Sequence, residues 1–477
     1  MKKKSLALNA ALNAFKSALS IIFPLITYPY AFRILHANGI GKVNYASSII
    51  SYFSLLAALG ISTYAVREGA KLRDDSIKFY HFCNQVFSIN IITTAVSYCL
   101  LFIAIAFLSP LKSYRELLIL LSLTIVFATF SIEWINVIFE DFLFITVRSI
   151  AINLISIFLL FILVKDEDDY LLYALLNVIT SGCVCVSNWF FCKKYINLKF
   201  TFKLNIGKHI RPILTFFINN VATSIYVNAD TTMLGYFIGD YSVGLYALAV
   251  KVYNVIKSML SAMYTVVVPR ISYHVGRGED DEVKQIFTSV FSSLIILLLP
   301  AAVGLASISN EIVFLMGGIE YVKAALTLQI LSIALIGAIV GGAITYCLNI
   351  PLGREKITAK ATVLSAIINF VFNLVLIPMF KQDGAALTTA ISEFFVPIYC
   401  IFSFKDLNKF LDIKKVLNDL KYALIGSIMI VIVALTVDGF VENIFLRLIA
   451  IVIFSIALYV LELLLVKHSL VVYLLKK

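Results

Sequence analysis

A helix needs about 20 consecutive apolar residues to cross the hydrocarbon core of a bilayer, and runs of that length follow one another along this whole chain. Of its 477 residues 61% are hydrophobic and only 14% charged, against roughly 45–50% and about 25% in soluble domains. A water-soluble enzyme, a disordered chain and a fibrous protein are excluded by that balance. The windows predict an all-α integral membrane protein of about fourteen transmembrane helices, the first near 11–35, the seventh near 212–237 and the last near 444–466. The charged start at Met1–Lys4 resembles a signal peptide, but the apolar stretch behind it has no small-residue cleavage site and is taken as an uncleaved first span. The seventh is the least apolar, because Asn219, Asn220, Asn228 and Asp230 dilute it.

Charge orients the chain. The net charge of +11 needs no nucleic-acid partner, because cytoplasmic loops of membrane proteins collect Lys and Arg. With the N-terminus inside, the inner segments hold 28 Lys and Arg and the outer ones 7, four more lying within spans. Both termini are therefore expected in the cytoplasm. The seven cysteines fall mostly in apolar runs and read as small hydrophobes, with no metal site and no cofactor expected.

An internal repeat accompanies the spans. Tyr45-Ala46 in the first hairpin and Tyr246-Ala247 in the fourth are 201 residues apart, and Arg73-Asp74-Asp75 and Glu279-Asp280-Asp281 follow at a similar offset. Six spans separate the copies, so both run the same way through the membrane. The expected organisation is an N-terminal lobe of six helices over 1–192, a basic cytoplasmic linker over 193–211, a C-terminal lobe over 212–403, and two further helices with a cytoplasmic tail over 404–477. Two repeated lobes around a midplane site is a transporter plan.

Enzyme chemistry finds no footing. Gly39-Ile40-Gly41-Lys42-Val43 lacks the first Gly and the Ser/Thr of a phosphate loop, and neither HExxH nor GxSxG occurs. What stands out instead is polarity inside apolar spans, which is expensive and marks functional candidates. Asn9, Asn13, Lys16, Ser20 and Thr27 share one helical face of the first span; Thr215, Asn219, Thr223, Tyr226 and Asp230 share one of the seventh. A polar cavity shared by the lobes, or hydrogen bonding within each lobe, accounts for both stripes. Asp230 and Lys251 sit equally far from the turn near 240 and should pair, either as a lock or as a switch that takes up a proton or cation. Lys16 and Lys257 have no carboxylate at matching depth in their own hairpins and are candidate anion ligands. Arg33 either forks onto a phosphate or snorkels to the interface. Glu393 and Glu133 are candidate proton carriers or structural partners of a cation. Pro24, Pro29, Pro300 and Pro397 interrupt spans as hinges or static kinks.

Several local patterns then converge. Phe23-Pro24-Leu25-Ile26-Thr27-Tyr28-Pro29-Tyr30 with Arg33 and Gly41, Tyr64-x-x-Arg67-Glu68, and Asp230-x-x-Met233-Leu234-Gly235-Tyr236 occur in order. Val243-Gly244-x-Tyr246-x-x-Ala249-x-Lys251, Asn369-x-x-x-Asn373-x-x-x-Ile377-Pro378 and Gly384-Ala385-Ala386 with Glu393 follow. Across about 400 residues this series resembles Wzx-type polysaccharide flippases of the multidrug/oligosaccharidyl-lipid/polysaccharide exporter superfamily. His36, after Arg33-Ile34-Leu35, departs from an expected Gly; Asn136 and Phe139 depart from Gln and Gly. The resemblance implies two six-helix lobes in a V around a central cavity, plus two C-terminal helices. It implies a multi-pass protein of the bacterial cytoplasmic (inner) membrane that turns an undecaprenyl-diphosphate-linked repeat unit to the outer leaflet for O-antigen or capsule. A polymerase and a chain-length regulator would be its partners, and the lipid bilayer its medium. Lys16, Arg33, Lys251 and Lys257 would meet the diphosphate, and Asn13, Asn219, Thr223 and Tyr226 the sugars. Asp230, Glu393 and Glu133 would couple an ion. A multidrug exporter of the same superfamily and a peptidoglycan-precursor flippase are the alternatives; a membrane-embedded enzyme would need a larger loop than this chain has.

Overall fold

The computed structural model describes residues 6–404 and 406–468, with side chains described from Phe23 onward except at 218, 219 and 222. Among the described residues the chain is helical throughout, without a strand, and eleven helices are long and apolar enough to cross a membrane. This is a multi-pass membrane protein. Two of the eleven are each a pair of helices running through a sharp bend: α1 (Leu6–Ala58) turns at His36, and α13 (Glu355–Ser403) turns at Lys381. The bends are not at the prolines. Pro24, Pro29 and Pro397 all lie inside helical stretches, as does Pro300 in α10 (Asp280–Ser307), so the hinge reading of these prolines gives way to His36 (φ 53) and Lys381 (φ 53). Neighbouring helices re-satisfy the backbone groups a membrane proline frees.

Two compact units divide the chain, residues 1–244 and 245–477. The first holds α1, α2 (Ile61–Leu72), α3 (Ser76–Phe107), α4 (Arg115–Ser131), α5 (Glu133–Ile138), α6 (Phe142–Leu163), α7 (Tyr170–Cys192) and α8 (Ile206–Phe237). In the first unit α8 packs on α1 and α2. Thr232 fastens it there, its hydroxyl lying 2.9 Å from Ser48 Oγ and 3.2 Å from Tyr52 Oη.

Among the described residues the apolar core of this unit includes two clusters. One gathers Ile61, Tyr64, Phe79, Phe82, Trp134 and Ile213 where α2, α3, α5 and α8 meet; the other gathers Val43, Leu101, Leu118, Ile125 and Val178 around α1, α3, α4 and α7. Side chains on the opposite faces, such as Phe102 and Phe107 of α3 and Phe158 of α6, are exposed, as a lipid-facing surface requires.

Helix ends carry their own signals. Asp75 accepts from Lys78 N at 3.0 Å and caps α3, and Ile132 adopts a left-handed conformation (φ 44) that separates α4 from α5. At the start of α8 His209 is fully buried between Tyr64 Oη (2.7 Å) and Gln85 Oε1 (2.8 Å). Burial, reinforced by Lys208, holds its imidazole below the usual histidine range.

The second unit holds most of α9 (Asp240–Thr265), then α10, α11 (Ser309–Gly317), α12 (Ala325–Ile344), α13, α14 (Ile413–Phe440) and α15 (Ile444–Leu465). Here α12 packs along α13 and α10 along α14. Small residues permit the first contact: a Cβ on Gly337 would lie 2.7 Å from the carbonyl carbon of Glu393.

Candidate functional site

Within the second unit, α9 and α13 bring two intramembrane charges together. Lys257 Nζ donates to Glu393 Oε1 at 2.6 Å, and Tyr253 Oη donates to the same oxygen at 3.1 Å. One helical turn separates Tyr253 from Lys257, so both reach the carboxylate from one face of α9, and the ammonium lies 5.3 Å from the tyrosine ring centroid. The Lys257 side chain is 33% exposed and that of Glu393 9%. The sequence leaves Lys257 without a counter-charge because its hairpin supplies none; the structure corrects this with a carboxylate 136 residues away. Nearby, Tyr246 Oη and Thr389 Oγ1 are 3.3 Å apart and continue the same polar seam. Both charges thus sit in a low-dielectric span, each tolerable because the other is present. Such a pair has two settings: closed as seen, or parted when the carboxyl takes a proton or the ammonium finds another anion.

Within the first unit, Glu133 belongs to a second buried network. Arg148 Nη2 donates to Glu133 Oε2 at 2.8 Å, and its Nη1 donates to Asn188 Oδ1. Asn136 Nδ2 donates to that same Oδ1 at 2.8 Å, while Asn188 Nδ2 donates to Ser131 Oγ at 2.8 Å. The left-handed residue Ile132 turns Ser131, Glu133 and Asn136 toward α6 and α7. Beside this network lies a cavity of about 790 Å³, lined by Arg67, Asn90, Ser131, Glu133, Trp134 and Phe216 among others. The Arg67 guanidinium stands 5.0 Å from the Phe216 ring centroid and donates to Glu68 Oε1 at 2.9 Å. Aromatic faces with a few fixed polar groups are what a cavity of this size needs to orient a polar ligand.

The remaining predicted residues are more scattered. The side chains of Asn13, Lys16 and Asn219 lie outside those described. Arg33 is exposed on α1, three residues before the His36 bend. On α8, Thr223 is exposed, Tyr226 half-buried and Asp230 buried; Lys251 on α9 is half-buried. Thr215 and Thr27 spend their hydroxyls on their own helices, at Arg211 O and Phe23 O, so the two polar stripes are in part local back-bonding. Sequence reasoning missed Arg148 and Asn188. Arg148 was legible as an inner charge at the foot of a span, but the Asn188 that faces it lies in an apolar run that gave no warning.

Comparison with known proteins now has a fold and a polar interior to attach to. The family model described as "Polysaccharide biosynthesis protein" matches residues 7–274, more than half of the chain. The chain belongs to that family. The MatE model matches residues 216–379. The "Probable low-salt glycan biosynthesis flippase Agl15" of Haloferax volcanii is 26% identical over 245 residues, 49% of this chain and 48% of that protein. A "Putative O-antigen transporter" of Shigella dysenteriae is 22% identical over 80% of this chain and 95% of its own. In three dimensions the "Lipid II flippase MurJ, inward closed conformation" superposes with a TM-score of 0.77, over 98% of this chain and all of the other, at 16% identity. The relatives described here are named as flippases and transporters, and the likeness to MurJ is one of fold.

Proposed function

We propose that the chain carries an undecaprenyl-diphosphate-linked oligosaccharide repeat unit from the cytoplasmic to the outer leaflet of the cytoplasmic membrane, for an O-antigen or a capsule. The Lys257–Glu393 pair carries this reading. A diphosphate crossing a low-dielectric path needs a cation, and Lys257 is one whose counter-charge can be neutralised by a proton. In the resting state Glu393 and Tyr253 hold the ammonium; when Glu393 is protonated, Lys257 is released to the diphosphate. Lys16, Arg33 and Lys251 supply further positive charge along the path, and Asp230 is a further ion-coupling carboxylate. Asn13, Asn219, Thr223 and Tyr226, with the Arg67–Phe216 cavity, offer partners to the sugars. Alternating access, with both termini in the cytoplasm, would carry the head group across. Drive comes from an ion gradient through Glu393 or from consumption of the glycan outside, where a polymerase and a chain-length regulator would take it up.

Deleting the gene and measuring lipid-linked oligosaccharide on each membrane face tests this. Completed repeat units trapped inside, with surface polysaccharide lost, are the expected outcome. The MatE match over residues 216–379 favours one other reading, a multidrug exporter. Unchanged glycan with altered drug sensitivity in the deletion strain would establish that reading and end this one.

A further inference from the structure

A second cavity, of about 490 Å³, opens at the other end of the first unit, where the turn after His36, the α3–α4 connection, the start of α7 and the start of α9 meet. Its charged lining is Lys42, Lys112 and Arg115 against Glu116 and Asp240. Charge bias gives these cations their significance. Only seven Lys and Arg fall in segments assigned to the outer face, and Lys165, Lys323, Lys381 and Arg447 are distributed over other loops. The three that remain converge on one hollow, on the side of the membrane where basic residues are scarce.

The geometry leaves these charges available. Tyr114 Oη donates to Asp240 Oδ1 at 2.7 Å, so one of the two carboxylates is already engaged by a neutral donor. Lys42 Nζ rests 4.5 Å from the Tyr170 ring centroid and within electrostatic reach of Asp240, without closing an ion pair on it among the described residues. Neither Lys112 nor Arg115 forms an ion pair among the described residues, and both are exposed at the rim. A planar guanidinium and two ammonium groups around a walled space match the oxygens of a phosphate or diphosphate.

We infer that this cavity is an exit-side binding site for a phosphate-class anion, which receives the diphosphate of the cargo once it reaches the outer leaflet. The assignment to the outer face and to the cargo rests on the function proposed above; the anion site itself does not. A free phosphate-class anion has the same chemistry, and the test separates the two sources.

Ser113 lines the cavity between Lys112 and Tyr114 and carries no charge. Full-length protein with Ser113→Cys, in spheroplasts, is labelled with a membrane-impermeant maleimide, the unsubstituted chain serving as the blank for its native cysteines. Farnesyl diphosphate or inorganic pyrophosphate is then added. The labelling rate should fall, and Lys42→Gln with Arg115→Gln should weaken the protecting affinity about tenfold, as expected for charge-assisted hydrogen bonds. Protection by farnesyl diphosphate at much lower concentration than pyrophosphate assigns the site to a lipid-linked diphosphate, and equal protection by both assigns it to the free anion. An unchanged rate with both probes, or protection indifferent to the two substitutions, overturns the site. Labelling that appears only after permeabilisation overturns the outward orientation, and with it the proposed direction of transport, while protection in the permeabilised sample still decides the anion site.

Discussion

At residue scale, the two settings of Lys257 separate a structural role from a transport role. Lys257→Ala leaves the Glu393 carboxylate with only Tyr253, and losing one partner of a buried pair costs roughly 3–5 kcal/mol. The exposure of Lys257 brings this down to about 2 kcal/mol. Glu393→Gln in the same chain removes the stranded charge and should restore the protein to its normal level in the membrane. Export should stay lost if Lys257 meets the diphosphate, and quantifying surface glycan beside membrane protein checks it: recovery of both would reduce the pair to a structural lock. Each charge was legible alone; their meeting was not, because depth matching reaches only helices joined by a short turn. The departure at His36 has a backbone meaning too. With φ 53 and ψ 178 it occupies a region in which only Gly is unstrained. His36→Gly should therefore stabilise the chain by about 1 kcal/mol, the relief of strain exceeding the entropy Gly adds to the unfolded state, and a higher apparent Tm of the purified protein would show it. The second departure shows a similar shift, since the left-handed residue after Trp134 is Glu140 (φ 56) while Phe139 stacks on Tyr195 at 3.9 Å.

At the scale of elements, the hairpins matched by the 201-residue repeat prove to be packed on one another through backbone. A Cβ on Gly41 would stand 1.8 Å from the Asp240 carbonyl oxygen, and one on Gly244 would stand 2.0 Å from that of Ala37. Backbone cannot swing aside as a side chain can, so Gly41→Ala or Gly244→Ala must part the two turns. A loss of about 2 kcal/mol, of the order seen on overpacking a tight contact, should appear as a lower Tm and faster proteolysis at these turns. The sequence carried the two glycines and the matching Tyr-Ala pairs, but nothing in it said that the turns touch. The α8 entry makes a different prediction, through pH. His209 is held neutral in the folded state because its pKa is lowered by burial, so protonation favours the unfolded chain. Its contribution is full above about pH 6.5 and is lost as pH falls below that toward the folded value. Thermal unfolding between pH 7.5 and 5 should therefore show a steeper loss of Tm in the natural chain than in His209→Gln, which keeps a hydrogen-bonding side chain between Tyr64 and Gln85 without the titration. Parallel curves would refute it.

At the scale of the molecule, hydropathy made the all-helical membrane fold legible, because bilayer thickness fixes helix length independently of any tertiary contact. What hydropathy could not show is how the last two helices attach, since in lipid a helix face is satisfied by acyl chains or by another helix almost equally well. Read from sequence, α14 and α15 are an appendix. In the structure α14 lies along α10, Tyr459 of α15 donates to Ile296 O at 2.7 Å, and Arg447 reaches Glu311 at 3.6 Å. Glu311 is buried in α11, and among its described contacts Arg447 is the cation that answers it. Ending the chain after Leu411 therefore replaces most apolar contact with lipid at little loss, but strips that carboxylate of its counter-charge. The truncated chain should still insert at a near-normal level, with a lower Tm. Glu311→Gln should then act in opposite directions in the two chains. In the truncated one it should raise Tm, because it removes an uncompensated charge; in the full-length one it should lower Tm slightly, because Arg447 loses a partner and keeps only Asp438. The same sign in both would mean that the appended helices hold the second unit by packing alone.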